Sequence, residues 1–174
     1  SNNINSFLTL TETDNQGNIV SEMIYVATNN GVARWNATGN NWETAWTALD
    51  GLPISFVQDI LEFDGKIWMA TPNGISQFDP VAMSVTNYGK TNGLMGTSTW
   101  GLFGATTTST DASGVTTTQN SLFISHDGKG TDRPGITQFD SGTQTVIDLH
   151  QFDQLPSNTV TAVTADIWGI HIAT

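Results

Sequence analysis

The chain has no cysteine, which excludes disulfides, thiolate metal sites and covalent haem attachment. That absence leaves the redox compartment open, because many exported proteins also lack the residue. Charge is scarce as well: 12% of the 174 residues are charged, against about a quarter in an average domain. Positive charge is scarcer still. Five Lys and Arg stand against 16 Asp and Glu, a formal net charge of -11, which argues against nucleic acid and anionic membrane surfaces as partners. There is no apolar run of about 18 residues and no signal peptide, so direct membrane insertion of this segment is not expected. No stretch sustains helical periodicity, which argues against a parallel α/β fold. Gly-x-Ser-x-Gly, His-Glu-x-x-His and a cysteine nucleophile are all missing, so no convergent catalytic set is visible and no cofactor is implied.

What remains is an apolar fraction of 37%, enough for a core, and solubility that rests on Thr, Ser, Asn and Gly. Such a composition is common in secreted strand-rich proteins and uncommon in cytosolic enzymes. The dominant positive feature is repetition. Met23-Ile-Tyr-Val-Ala-Thr-Asn-Asn-Gly31-Val-Ala-Arg-Trp-Asn36 returns as Lys66-Ile-Trp-Met-Ala-Thr-Pro-Asn-Gly74-Ile-Ser-Gln-Phe-Asp79. It returns more loosely as Ser121-Leu-Phe-Ile-Ser-His126 resuming at Gly135-Ile-Thr-Gln-Phe-Asp140, and begins again at Gly169-Ile-His-Ile-Ala-Thr174.

Each copy opens with neighbouring apolar side chains: Ile24, Tyr25 and Val26; Ile67, Trp68 and Met69; Leu122, Phe123 and Ile124; Ile170, His171 and Ile172. A strand with one face in water would alternate, so this pattern implies burial on both faces, a sheet held between two other sheets. Asn30-Gly31 and Asn73-Gly74 suit the positive φ of tight hairpins and lead into partner strands at 32–36, 75–79 and 136–140. Less apolar strands follow at 42–47, 85–88 and 145–149, and a further apolar stretch precedes each unit at 7–10, 56–63, 100–105 and 160–163. Each unit thus reads as four antiparallel strands.

The spacing agrees. Gly31 to Gly74 and Trp35 to Phe78 are both 43 residues, and Leu52 to Leu94 is 42. Phe78 to Phe139 is 61, the excess being carried by insertions at 106–119 and 127–134. A four-stranded unit of about 43 residues is the period of a β-propeller blade. The expected class is all-β, with blades at about residues 4–47, 54–88 and 97–149 and the start of a fourth at 157–174, about three and a half blades in all.

These segments resemble the two-component regulator propeller repeat. Its Leu-Pro-x-Asn-x-Val element appears as Leu155-Pro-Ser-Asn-Thr-Val160, leading to Asp166-Ile-Trp-Gly169 and on to Thr174. Earlier, Leu52-Pro-Ile-Ser leads to Asp64-Gly65, Ile67-Trp68-Met69-Ala70-Thr71 and Gly74-Ile75. The resemblance covers nearly the whole chain and departs from the pattern in the third blade, where Ser125-His126 replaces Ala-Thr. It implies a ring of about seven blades, as in periplasmic sensors of hybrid histidine kinases and in surface proteins of bacteria and archaea. Further blades are therefore expected in the same polypeptide, in an extracellular, periplasmic or cell-surface setting.

In a propeller, the connections between second and third strands and those between blades open on one end of the channel, the usual ligand end. The residues singled out there are Lys90, His126, Lys129, Asp132, Arg133, His150 and Asp153. Arg133 can hold a carboxylate or sulfate with two hydrogen bonds, which would suit an acidic glycan. The plainer alternative is solvated loop variation. His126 and His150 lack a third defined ligand for a metal and read as hydrogen-bonding within their loops. His171 falls at the core position of Tyr25, Trp68 and Phe123 and is expected to pack. Trp35 and Trp68 take core positions, whereas Trp42, Trp46 and Trp100 are open to either packing or stacking on a sugar. The acidic stretches 14–18 and 127–132 lack the twelve-residue calcium-loop spacing with its closing Glu. The Thr-rich segment 106–118 reads as a long flexible hairpin at the opposite end.

Three functions are compatible with this reading. The first is a non-catalytic binding or sensor module that contacts a glycan or a surface protein. The second is a polysaccharide lyase or glycosidase, which would need paired carboxylates or a His and Tyr set across the channel mouth. The third is a structural module of a surface or secretion assembly.

Overall fold

The computed structural model describes residues 3–127, 135–151, 162–166 and 169–173. Strands β1 (Ile4–Thr13), β2 (Ile19–Thr28), β3 (Gly31–Asn36) and β4 (Asn41–Trp46) form one antiparallel sheet in chain order. A second sheet holds β5 (Asp59–Phe63), β6 (Lys66–Thr71), β7 (Gly74–Asp79) and β8 (Ser84–Tyr88). The third holds β9 (Thr99–Thr110), β10 (Thr116–His126), β11 (Gly135–Asp140) and β12 (Thr145–Gln151), and β13 (Ala162–Asp166) pairs with β14 (Gly169–Ala173). Helix among the described residues is limited to two single 3-10 turns, Ala48–Asp50 and Lys90–Asn92. The first strands β1, β5, β9 and β13 are neighbours in that order, so successive sheets stack as propeller blades about a common inner edge.

Stacking explains the unbroken apolar runs. In β6, Ile67 and Met69 point into a core shared with Tyr25, Val32 and Trp46 of the first blade. Trp68 and Ala70, on the opposite face, join Leu102, Leu122, Ile124 and Phe139 of the third. Aromatic rings bridge both seams: Trp46 meets Phe78 with centroids 4.3 Å apart, and Trp68 meets Phe139 at 5.8 Å. Arg34 lies over the Trp46 ring at 4.7 Å and donates to the Thr44 carbonyl.

The outer face of the first blade has no sheet against it among the described residues. There Trp35 is half-buried, packed edge-on against Trp42 at 5.1 Å, and Trp42 and Phe7 are 64% and 70% exposed. His171, expected in the core, is exposed instead, as is Thr164 opposite it. Its position matches Trp68, which faces the following blade, and among the described residues no sheet covers that side of β14. The Thr-rich insertion extends β9 and β10 as a regular ribbon paired out to Thr110 and Thr116. Its tip is closed by Asp111, which accepts from the Ser113 and Val115 N–H groups.

Turn chemistry repeats with the blades. The Thr28 and Thr71 hydroxyls donate to the carbonyls of Gly31 and Gly74 and accept the N–H of Asn30 and Asn73, closing the two-residue hairpins. Gly31 and Gly74 have φ of 109° and 101°, and a Cβ at either would run into the carbonyl oxygen of Trp46 or Tyr88. At the other end, Asn36, Asp79 and Asp140 cap the turns between third and fourth strands by accepting backbone N–H groups. This occupies the side chain of Asn36, whose sequence Asn36-Ala37-Thr38 otherwise matches a glycosylation pattern. Asn40, Met83 and Gln144 take the left-handed position in those turns, with φ of 52°, 53° and 58°.

Two outcomes follow. Gly74→Ala should cost more than Gly65→Ala in urea unfolding, because both impose a left-handed strain of about 1–2 kcal/mol but only Gly74 also meets backbone. Asp79 is held down to about 2 by its 2.6 Å bond from Lys66 Nζ and, secondarily, by the N–H groups of Ala82 and Val81. A carboxyl whose folded value lies below its unfolded one stabilises fully above about pH 4, and that contribution is lost as pH falls through about 2. The carboxyl carbon of Asp79, followed by NMR, should titrate near that value, and Lys66→Met should move the midpoint upward.

Candidate functional site

The inner strands are tied together at one end of the blades by a single carboxylate. Asp59, at the start of β5, accepts from Ser6 Oγ of the first blade at 2.7 Å and from the Leu102 N–H of the third at 2.9 Å. It also accepts its neighbouring Ile60 N–H at 2.9 Å. Thr99 makes a parallel link: its hydroxyl accepts the Thr71 N–H and donates to the carbonyls of Thr71 and Gly74. These bonds set the spacing of the channel mouth.

Between the starts of the inner strands lies a cleft of about 340 Å³ lined by Ile4, Asn5, Phe56, Gln58 and Trp100. It belongs to the end that carries the β2–β3 and β6–β7 hairpins, since Asn5 donates to Asn29 Oδ1 at 3.0 Å and to the Val57 carbonyl at 2.7 Å. Trp100 is half-buried and donates its indole N–H to Asp127 Oδ2 at 2.7 Å. Asp127 itself is fully buried. With its only polar atom engaged, the indole offers the cleft nothing but apolar ring surface. Gln58 is 8% exposed, and its Oε1 has no hydrogen-bond partner among the described residues. A larger recess of about 430 Å³ between the first two blades, at the opposite end, is lined by Leu10, Met23, Tyr25 and Ile67 with Glu12 and Glu62. Its walls hold no buried polar atom lacking a partner among the described residues.

The residues singled out from sequence fall unevenly around this end. His126 takes the place of Thr28 and Thr71 opposite Gly135, as they stand opposite Gly31 and Gly74. It is fully buried, with Nε2 at 2.8 Å from Thr137 Oγ1, so it sits inside the blade and not in the open loop. Ser125, the other departure in this blade, bonds the Gly101 N–H at 2.8 Å. Lys90 is exposed on the 3-10 turn Lys90–Asn92 leading to the third blade. His150 stands opposite Ile136 in β12, and only its backbone is described. Lys129, Asp132, Arg133 and Asp153 lie outside the described residues. Of the three undecided tryptophans, Trp46 is core at 8% exposure, Trp42 is on the uncovered face and Trp100 is in the cleft. Sequence reasoning had no reason to choose Asn5, Phe56 or Gln58, because each stands in a connection or at a strand start that the repeat pattern does not constrain. Among the described residues no three His, Cys, Asp or Glu side chains converge as a metal site.

No family model matches the chain, and no curated protein matches it. Solved structures that share its fold include two from different proteins. One is the extracellular domain of BT3049 from B. thetaiotaomicron, named as a hybrid two component system, at 21% identity and TM-score 0.59 over 86% of this chain and 19% of that one. The other is the WD40 repeats of RRP9, at 9% identity and TM-score 0.56 over 92% of this chain and 41% of that one. The chain therefore spans less than half the length of either. At such identities the likeness establishes the propeller fold.

Removing the Asp59 carboxylate should loosen all three inner strands at once. Asp59→Ala is expected to cost about 2–3 kcal/mol in urea unfolding, since it strips a charged acceptor from a backbone N–H and a hydroxyl. Asp59→Asn, which keeps one acceptor oxygen, should cost about half as much.

Proposed function

We propose that this chain is a non-catalytic recognition module, the sensor region of a signalling receptor outside the cytoplasm, that binds a glycan at the mouth of its propeller channel. The single observation that carries this reading is the cleft at the inner-strand ends, where an aromatic ring anchored by a buried carboxylate stands beside two amides, the exposed Asn5 and the buried Gln58. Sugars are recognised by that pairing, because their C–H faces stack on aromatic rings while their hydroxyls need fixed polar partners. The fold shared with the extracellular domain of BT3049 supports the sensor setting. The low charge and Thr, Ser, Asn and Gly-rich composition support a location outside the cytoplasm. Lys90, Lys129, Asp132, Arg133, His150 and Asp153 would extend the contact surface, whereas His126, buried inside the blade, would not.

Incubating the chain with a panel of plant and animal polysaccharides, and following both retention in affinity electrophoresis and product length, tests the proposal. Retention of at least one polysaccharide without shortening is expected. Shorter products would reassign the chain to a lyase or glycosidase, and failure to retain any saccharide would remove the glycan reading.

A further inference from the structure

We infer that the recess between the first two blades, at the end opposite the cleft, is a docking surface for a partner protein, which enters it with a segment of alternating basic and apolar side chains. This interaction is separate from the glycan reading and does not depend on it. The recess arises from unequal strand lengths. β1 and β2 have ten residues each, whereas β5 and β6 have five and six. The first blade packs on the second through Leu8 paired with Tyr25 and Leu10 paired with Met23. Met23 holds the repeat position of Lys66, the first residue of β6. The next pair on that face, Glu12 with Ser21, therefore extends further along its ribbon than the inner hairpin of the second blade reaches. The overhang leaves Leu10 and Met23 half-buried in a recess of about 430 Å³, large enough for a side chain or two of a partner.

Charge selects the partner. Exposed carboxylates stand on both walls, Glu12 from the first blade and Glu62 from the second, and Glu62 Oε1 is fixed by the Gly65 N–H at 3.1 Å. Lys66, which also lines the recess, bonds Asp79 at 2.6 Å, so its charge is matched and does not offset the two glutamates. A lysine or arginine entering between apolar neighbours meets carboxylates at the rim and Leu10 and Met23 below, while an acidic segment is repelled. The chain's net charge of -11 steers in the same direction. Apolar surface also continues outside the recess. Ile19 and Val20 adjoin Ser21, Val81 adjoins Pro80, Met83 follows in the same turn, and all four are more than half exposed. Such a surface is wider than one small molecule covers, and a polypeptide segment with several anchors suits it.

Fluorescence anisotropy of labelled hexapeptides titrated with the 174-residue chain provides the test. The probes are Lys-Leu-Lys-Leu-Lys-Leu, its Gln-Leu and Glu-Leu counterparts, which remove or reverse the charge, and Lys-Gly-Lys-Gly-Lys-Gly, which removes the apolar side chains. The Lys-Leu peptide should bind about tenfold more tightly than any of the others, and more weakly as salt is added. Combining Glu12→Gln with Glu62→Gln should weaken it by about tenfold, and Met23→Thr by about fivefold. Glu43→Gln, which removes a charge from the outer strand β4, should leave it unchanged, and thermal unfolding of each variant separates lost folding from lost binding. Equal binding of the Lys-Leu and Lys-Gly peptides, or a loss from Glu43→Gln as large as that from the paired glutamate variant, would mean attraction to overall charge and overturns the docking surface. No detectable binding of the Lys-Leu peptide overturns it as well, and each of these results leaves the glycan reading untouched.

Discussion

The structure depends on one constraint: the second strand of each blade is apolar at consecutive positions and must be covered on both faces. A lone sheet cannot do this, and neither can a two-layer sandwich, in which each strand has one outward face. β6 shows the solution in its most complete form, with Ile67, Trp68, Met69 and Ala70 all at or below 2% exposure because a blade lies on either side. Where only one neighbour is present among the described residues, the same repeat positions lose cover, as with Trp35 and Trp42 in the first blade and His171 in β14. Burial in this protein is thus a property of the stack and not of the individual sheet.

The abundant carboxylates are largely engaged in holding backbone. Asp14, Asp79, Asp111 and Asp140 close turns, and each is held below the ordinary carboxylate range by its local donors. The leading donor is the Asn18 side chain for Asp14, Lys66 for Asp79, the Ser113 side chain for Asp111 and the Thr143 N–H for Asp140. Asp59 ties three inner strands, Asp64 accepts from Asn120 and Ser141 of the next blade, and Asp127 holds Trp100. An acidic chain of this kind needs few basic partners, because N–H and O–H groups take their place. Of these, Asp59 and Asp127 adjoin the channel mouth.

The candidate site lies where the repeat relaxes. In the first two blades the hairpin at the cleft end is a closed unit of Thr hydroxyl, Asn N–H and left-handed Gly. In the third, His126 replaces the Thr and turns inward to Thr137, and Asp127 follows as a buried anchor for Trp100. Blade packing tolerates this change because the ladder of β10 and β11 continues to His126 and Gly135. Departures from a repeat are therefore better guides to the site than the repeat itself.

The sequence by itself determined the all-β class, the four-stranded unit, its period and the turn positions. Those features are encoded locally, in adjacent apolar residues and in Asn-Gly pairs whose backbone preference does not depend on distant neighbours. Strand ends came within a few residues, and the two insertions were legible as an excess over the period. Other features had no local signature. Nothing in Met83 announces a left-handed backbone, because methionine has no preference for it and the turn imposes it. The tryptophans were indistinguishable as residues, and only the arrangement of blades made Trp46 core, Trp42 surface and Trp100 a wall of the cleft. Likewise His126 and His171 exchanged their expected settings, one going inside and the other out, according to which sheets lay beside them. Gln58 shares its cleft with groups more than forty residues away on either side, Asn5 and Trp100. The tertiary structure alone decided these matters, because burial and hydrogen-bond partnership at a blade seam are set by residues that stacking, and not chain proximity, brings together.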